Sequence, residues 1–218
     1  MTADPEIDLA GERMALLPER AMFWSRAMTL FVADTHWGKD AAFRAASIAV
    51  PGGVLADDLA RLSCAIERTH ARRLIILGDL LHAKKGRAPA TLSTIAAWRE
   101  QHADLEILLV RGNHDQGAGD PPDEWRFVCV DAPSELAPFV LQHEPAESRA
   151  GYALGGHIHP AVRLNGLGRQ SVQLPCFWFG RRVGVLPAFG GFTGCATVAP
   201  RQSDQVFVVV EGEIMQVG

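Results

Sequence analysis

Sulfur chemistry is scarce in this sequence. Its four cysteines, Cys64, Cys129, Cys176 and Cys195, stand far apart and form no C-x-x-C pair. That spacing argues against a zinc knuckle and supplies no disulfide framework, so a reducing compartment is expected. Long apolar runs are also missing: none approaches the ~20 residues that span a bilayer. The opening stretch "MTADPEIDLAGERM" is acidic and has no apolar h-region of the kind a secretory signal needs. The expectation is a cytoplasmic protein without a membrane partner. A basic excess is lacking too. A net charge of -4 gives no global electrostatic reason to meet nucleic acid, so a polyanion would have to be held by a local patch or by bound metal ions. Internal repeats and low-complexity linkers are absent. At 218 residues, 48% hydrophobic and 21% charged, the chain suits one globular domain over 1–218.

What is present is an alternation of apolar strands and amphipathic segments. "RMALL", "AMFW" and "MTLFVAD" read as short strands, the first two paired. The stretch "THWGKDAAFRAASIAVPGG" is mixed in character and ends at Pro51-Gly52-Gly53. From Val54 to Ala71, Leu55, Leu59, Leu62, Ala65 and Ile66 recur at helical spacing. "RLIILGD" (Arg73 to Asp79) reads as a strand, Ala88 to His102 as a second helix, and "LEILLV" (Leu105 to Val110) as a further strand. Strands this apolar on both faces belong inside an α/β layered fold. After residue 125 the helical signal fades. "WRFVCVD", "PFVLQH", "YALGGHIH", "SVQLP", "RVGVLPAF" and "QVFVVVEG" read as strands joined by Gly and Pro turns. They predict a second, largely antiparallel sheet packed on the first: an α/β two-sheet sandwich flanked by helices.

The chemistry sits where these strands end. "LFVA" ends in Asp34-Thr35-His36, "LIIL" in Gly78-Asp79 with His82 three residues on, and "EILLV" in Gly112-Asn113-His114-Asp115. "FVLQ" ends in His143-Glu144-Pro145 and "YALG" in Gly156-His157-Ile158-His159. Of the eight histidines, only His70 and His102 lie outside this set. The carboxyl ends of strands in an α/β sheet share one edge, which forms the usual ligand crevice. Asp and His with one Asn suit Mn²⁺, Fe or Zn²⁺ rather than Ca²⁺ or a thiolate-loving metal. Within D-x-H and H-x-H, residues i and i+2 of an extended segment point to one side. Asp34, His36, Asp79, Asn113, His143, His157 and His159 make seven candidate ligands, too many for one tetrahedral ion. They suit two ions sharing a carboxylate, for which Asp79 is the natural bridge, and two ions roughly 3.5–4 Å apart clamp a phosphoryl group. The glycines before Asp79, Asn113 and His157 let the backbone turn tightly there.

The order D-x-H, G-D, G-N-H-D, H, G-H-x-H resembles the binuclear metallophosphoesterase (calcineurin-like) superfamily, whose domain covers nearly this whole chain. "DTHWGKDAAFRAASIAVPGG", "HEP", "GHIHP", "LPCFWF" and "LPAFGGFTG" look like its bacterial DNA-ligase-associated branch. The resemblance implies the four-layer αββα form of the sandwich. It also implies a Mn²⁺-dependent DNA endonuclease or phosphodiesterase of DNA repair, with Zn²⁺ or Fe as alternative metals. A functional link to a DNA ligase and a helicase comes with that branch. Carried over, Asp34, His36 and His159 would hold one metal and Asn113, His143 and His157 the other, with Asp79 bridging. His114 would bind no metal, and would donate a proton to the leaving oxygen or stabilise charge there. Asp115 would orient His114 or anchor its loop. The sequence departs from the superfamily pattern in three places. "GDLLHAKKGR" lacks the Asp and Arg that many of its phosphatases carry after G-D, and His82 there resembles the repair-nuclease branch, in contact with substrate or leaving group. His143 follows Leu141-Gln142 rather than a Gly-His pair. Trp37 stands where Leu is expected, as a stacking surface or as packing.

Lys39, Lys84, Lys85 and Arg87 follow the first two ligand motifs and can supply phosphate contacts despite the acidic whole. Trp37, Phe43, Phe177, Trp178 and Phe179 are candidates for stacking on unpaired bases. The leading expectation is an endonuclease on single-stranded or flapped DNA, working by two-metal attack of hydroxide on the phosphodiester. A phosphatase or small-molecule phosphodiesterase with the same centre is the alternative; it would want a capped pocket, and no cap segment is evident. A scaffold that has lost its chemistry is disfavoured by His114 and the full ligand set.

Overall fold

The strands split one apolar sequence between two cores. The computed structural model describes residues 4–166 and 170–217. Its first sheet holds β1 (Glu6–Leu9), β2 (Glu12–Leu17), β3 (Ala21–Trp24), β4 (Thr29–Val32), β5 (Arg73–Leu77), β6 (Glu106–Val110) and β7 (Phe127–Val130), side by side in chain order. β1 to β4 form an antiparallel meander, and β4 to β7 run parallel. Alternate residues of the parallel strands face opposite ways. Leu30, Val32, Leu74, Ile76, Ile107 and Leu109 enter a core shared with the helices. Phe31, Ile75, Leu77 and Val110 enter a second core that faces the other sheet. This two-sided burial is why these strands read as continuous apolar runs.

Helices α1 (Lys39–Ala45), α2 (Val54–Thr69), α3 (Pro89–Gln101) and α4 (Asn113–Ala118) all fall between β4 and β7 in the chain. α2 buries Leu59, Leu62, Ala65 and Ile66, the predicted apolar stripe, and α3 buries Ile95 and Trp98 against the same core. α1 and α4, seven and six residues long, were not anticipated, because so short a helix shows no periodicity to read. None of the described helices is long and apolar enough to cross a membrane.

Among the described residues the second sheet holds β8 (Ser134–Leu136), β9 (Phe139–Leu141), β10 (Tyr152–Gly155), β11 (Pro160–Asn165), β12 (Ser171–Phe179), β13 (Val183–Val185), β14 (Ala196–Thr197), β15 (Gln205–Val210) and β16 (Glu213–Val217). Its order is β14-β11-β12-β13-β10-β9-β8, with β15 added to β12 and β16 to β15. β11, β12, β15 and β16 pair antiparallel, as expected. β9, β10 and β13 run parallel instead, which brings the carboxyl ends of β9 and β10 to one edge. The α/β sandwich with flanking helices is as the sequence predicts. A third, smaller core lies within the second sheet, where Cys176, Val206 and Val208 pack with Val162, Leu174, Trp178, Val198 and Val217.

Candidate metal centre

The parallel strands of both sheets deliver their carboxyl ends to one crevice. Asp34 and His36 follow β4, Asp79 follows β5, Asn113 opens α4 after β6, His143 follows β9, and His157 and His159 follow β10. Five of these residues hold left-handed backbone: Asp34 at φ 54°, His36 at 46°, Asp79 at 55°, His157 at 70° and His159 at 49°. Each such residue costs about 1–3 kcal/mol and persists only where its surroundings over-determine it. Here they do. Asp34 N–H donates to the Gly78 carbonyl (3.1 Å), His36 N–H to the Asp79 carbonyl (2.8 Å), and His157 N–H to Asp34 Oδ2 (2.8 Å). The side chains of D-x-H and H-x-H therefore converge through two left-handed residues, not through the extended backbone the sequence suggested.

Seven donors meet as two trios and one carboxylate between them. His159 Nε2 lies 3.5 Å from Asp34 Oδ1 and 3.2 Å from His36 Nε2. Asn113 Oδ1 lies 3.0 Å from His143 Nε2 and 3.1 Å from His157 Nδ1. Asp79 Oδ2 stands between them, 3.8 Å from His36 Nε2 and 3.4 Å from His143 Nε2. Backbone carbonyls aim the imidazoles: His143 Nδ1 donates to Leu77 O (2.9 Å) and His159 Nδ1 to Gly194 O (2.9 Å), leaving each Nε2 lone pair turned inward. Two glycines make the close approach possible. A Cβ on Gly78, itself at φ 84°, would strike the His143 ring, and one on Gly156 would strike the Asp34 carboxylate.

This donor set fits divalent cations. Lone pairs of four imidazole nitrogens and three oxygens face one another, a repulsive arrangement unless positive charge lies between them. Asp34 Oδ1 is buried with no hydrogen-bond partner, as a ligand oxygen would be. Burial drives the His36 pKa down to about 2, so it is neutral and free to ligate. At His143 burial acts the same way, but the Asp79 and Asp34 carboxylates outweigh it and raise the pKa to about 9. Positive charge is what the field around His143 favours.

Around the centre, the structure separates what the sequence had grouped. The His114 N–H donates to Asp79 Oδ1 (2.9 Å), and its Nδ1 to the His82 carbonyl (2.7 Å), so Nε2 is turned toward the centre, 3.9 Å from Asp79 Oδ2. The His82 ring stacks on His114 (centroids 4.9 Å, 25°), and burial followed by Lys39 lowers its pKa to about 4. Asp115 is buried and accepts from four backbone N–H groups, those of Asp79 (2.8 Å), Leu80 (3.0 Å), Leu81 (3.4 Å) and Gly112 (2.9 Å). Of its two expected jobs, anchoring is the one its contacts serve: it ties the loop after β5 to the loop after β6.

Lys39 is half-buried and lines a small cleft with His36. Lys84 and Lys85 are exposed on a short turn whose Gly86 packs against Gly38 at the head of α1. Arg87 is half-buried and donates to the carbonyls of Gly119 (3.2 Å) and Asp120 (2.7 Å). Two expectations need correction. Trp37 is 1% exposed, its ring edge-on to Trp98 at 5.6 Å, so it packs the helical core and has no face for a base. Phe177 and Phe179 are likewise buried, in the core between the sheets. Trp178 is half-buried and donates its indole N–H to Asp204. The sequence reading quoted the loop after β13 in the family resemblance but gave its residues no role at the centre. Gly190 N–H donates to the Asp34 carbonyl, Gly191 N–H to the buried Asp58 carboxylate, and Gly194 O holds His159. The glycine-rich "FGGFTG" was its only signal.

Fold and centre together define a metal-dependent, hydrolytic phosphoesterase. Comparison with solved structures agrees: the Pseudomonas putida nuclease MPE superposes with a TM-score of 0.86 at 38% identity, covering 98% of this chain and 100% of that one. The chain belongs to that metallophosphoesterase family. A phosphoesterase of E. coli, YfcE, is 18% identical over 87% of this chain and 97% of its own, with a TM-score of 0.40, a likeness that carries no argument. No family model matches the chain, and no curated protein matches it.

Proposed function

We propose that this chain is a two-metal, Mn²⁺-dependent phosphodiesterase that cuts DNA with unpaired strands. The observation that carries the two-metal reading is the pair of donor trios joined by Asp79, whose Oδ2 is 3.8 Å from His36 Nε2 and 3.4 Å from His143 Nε2. Asp34, His36 and His159 would hold one ion and Asn113, His143 and His157 the other. Bound there, the ions supply activated water and neutralise charge on the phosphoryl oxygens. The remaining steps fall to the chain. His114 is the non-ligand group at the centre, and its Nε2, fixed by the bond from Nδ1 to the His82 carbonyl, meets the leaving oxygen. Asp115 holds the loops of Asp79 and Asn113 in register.

DNA as substrate is supported by the surroundings and by the relative, which is itself a nuclease. Lys39 lines a cleft with His36, and Lys84 and Lys85 are exposed on the turn that follows His82. A groove of about 290 Å³ leads from Asn113 and His143 past Arg111, Gln116, Gln142 and Glu144. The test is Mn²⁺-dependent cleavage of a labelled single-stranded oligonucleotide, stopped by a chelator and restored by Mn²⁺. Wild-type protein that leaves DNA intact while hydrolysing a nucleotide monoester would overturn the DNA reading and leave a phosphatase.

A further inference from the structure

The aromatic residues of this chain divide unevenly. Every Trp, the single Tyr and all Phe but two pack into the three core clusters. The two exceptions, Phe43 of α1 and Phe192 of the loop after β13, are side by side, centroids 5.6 Å apart and perpendicular. Both are half-buried. They also continue a row of rings that starts at the centre: His114 stacks on His82 (4.9 Å, 25°), and His82 on Phe43 (6.0 Å, 18°). Phe192 shares a small cleft with His36 and Lys39.

The ring is held in place. Next to it, the Gly191 N–H donates to both oxygens of the buried Asp58 carboxylate (2.9 and 3.1 Å), and Gly190 N–H to the Asp34 carbonyl (3.1 Å). Arg61 donates to Asp58 (2.7 Å) and to the Phe189 carbonyl. The loop is thus fixed to the backbone of a metal-ligand residue, which keeps Phe192 at a set place beside the centre. A partly exposed apolar ring, pre-positioned beside a cationic side chain, matches a nucleotide: the π-face takes a base and the ammonium its phosphate.

We propose that Phe192, backed by Phe43, is a stacking surface for the unpaired base next to the scissile phosphodiester, with Lys39 on the adjoining phosphate. The inference rests on the nuclease reading above and specifies its substrate. A base inside a duplex has both faces covered by its neighbours, so this surface selects strands whose bases are free to turn out.

The test pairs a side-chain change with a base deletion. Phe192→Leu keeps apolar volume and removes the π-face, and lowers kcat/KM on single-stranded DNA by about 5- to 100-fold, while Phe192→Tyr restores it. In oligonucleotides carrying one abasic residue at successive positions, wild type loses cleavage by a similar factor when the gap falls beside the cut, and Phe192→Leu is indifferent to the gap there. A 2-aminopurine at that position is quenched on binding wild type and stays bright with Phe192→Leu. The proposal is overturned if Phe192→Leu cuts at the wild-type rate, or if the two deletions multiply as independent effects. Wild type that cuts no oligonucleotide would take down the nuclease reading itself, a result distinct from both.

Discussion

The floor of the metal centre and its rim are built on opposite principles. On the floor, Asp34, His36, Asp79 and His143 are buried, left-handed backbone holds Asp34, His36 and Asp79, and backbone N–H and C=O groups fix most donors from behind. At the rim, Lys84 and Lys85 are exposed, and Phe43 and Phe192 are half-exposed with few partners. A buried constellation that shares hydrogen bonds across four loops has one arrangement, whereas exposed side chains such as Lys84 and Lys85 can adjust to what arrives. Chemistry and selectivity are therefore separable in this fold. Changes to the floor should act on turnover, changes to the rim on KM.

The strongest way to break that division is at its centre. Asp79→Ala removes the carboxylate placed between both trios, and cleavage should fall by roughly a thousandfold or more. Metal content by elemental analysis should fall with it; activity that survives would sink the bridging assignment. Next, His114→Ala should lower kcat by about 10²- to 10⁴-fold while the protein keeps its full complement of metal. Metal lost along with the rate would make His114 a ligand instead. Asp115→Asn tests the anchor. It removes a buried charge bonded to four N–H groups, so stability should drop by about 2–3 kcal/mol. In a domain of this size that is a fall in Tm of roughly 4–12 °C in a thermal melt, and activity at a permissive temperature should fall about 10- to 100-fold. The smallest effect belongs to the rim. Lys84→Ala with Lys85→Ala should raise KM for DNA a few-fold, leave kcat alone, and flatten the salt dependence by about 0.7 per lost phosphate contact. A change in kcat without one in KM would show that floor and rim are coupled.

Much of the centre was legible because its residues sit at strand ends, and strand ends are easy to locate from apolar runs. All seven candidate ligands come together, and the α/β order from β4 to β7 follows the predicted pattern. The rim was much less legible. Trp37, directly after the buried Asp34-Thr35-His36 turn, could have faced either way, and the side chain it meets is Trp98, far along the chain. Arg87 looked like a free cation until α4 placed the Gly119 and Asp120 carbonyls beside it. Phe192 lay inside the quoted "LPAFGGFTG" but was given no role, since an isolated Phe in a glycine-rich loop has no pattern of its own.

By itself, the sequence determined which segments are buried and which polar groups follow them, because side-chain period and strand termination are local properties of the chain. Tertiary structure alone decided how those groups face one another. The left-handed backbone at Asp34 and His36 is held by the carbonyl of Asp79 and by Gly78, and the His114 ring by the carbonyl of His82. Such contacts join loops 32 to 45 residues apart, and only the packing of the parallel strands brings them within hydrogen-bond reach.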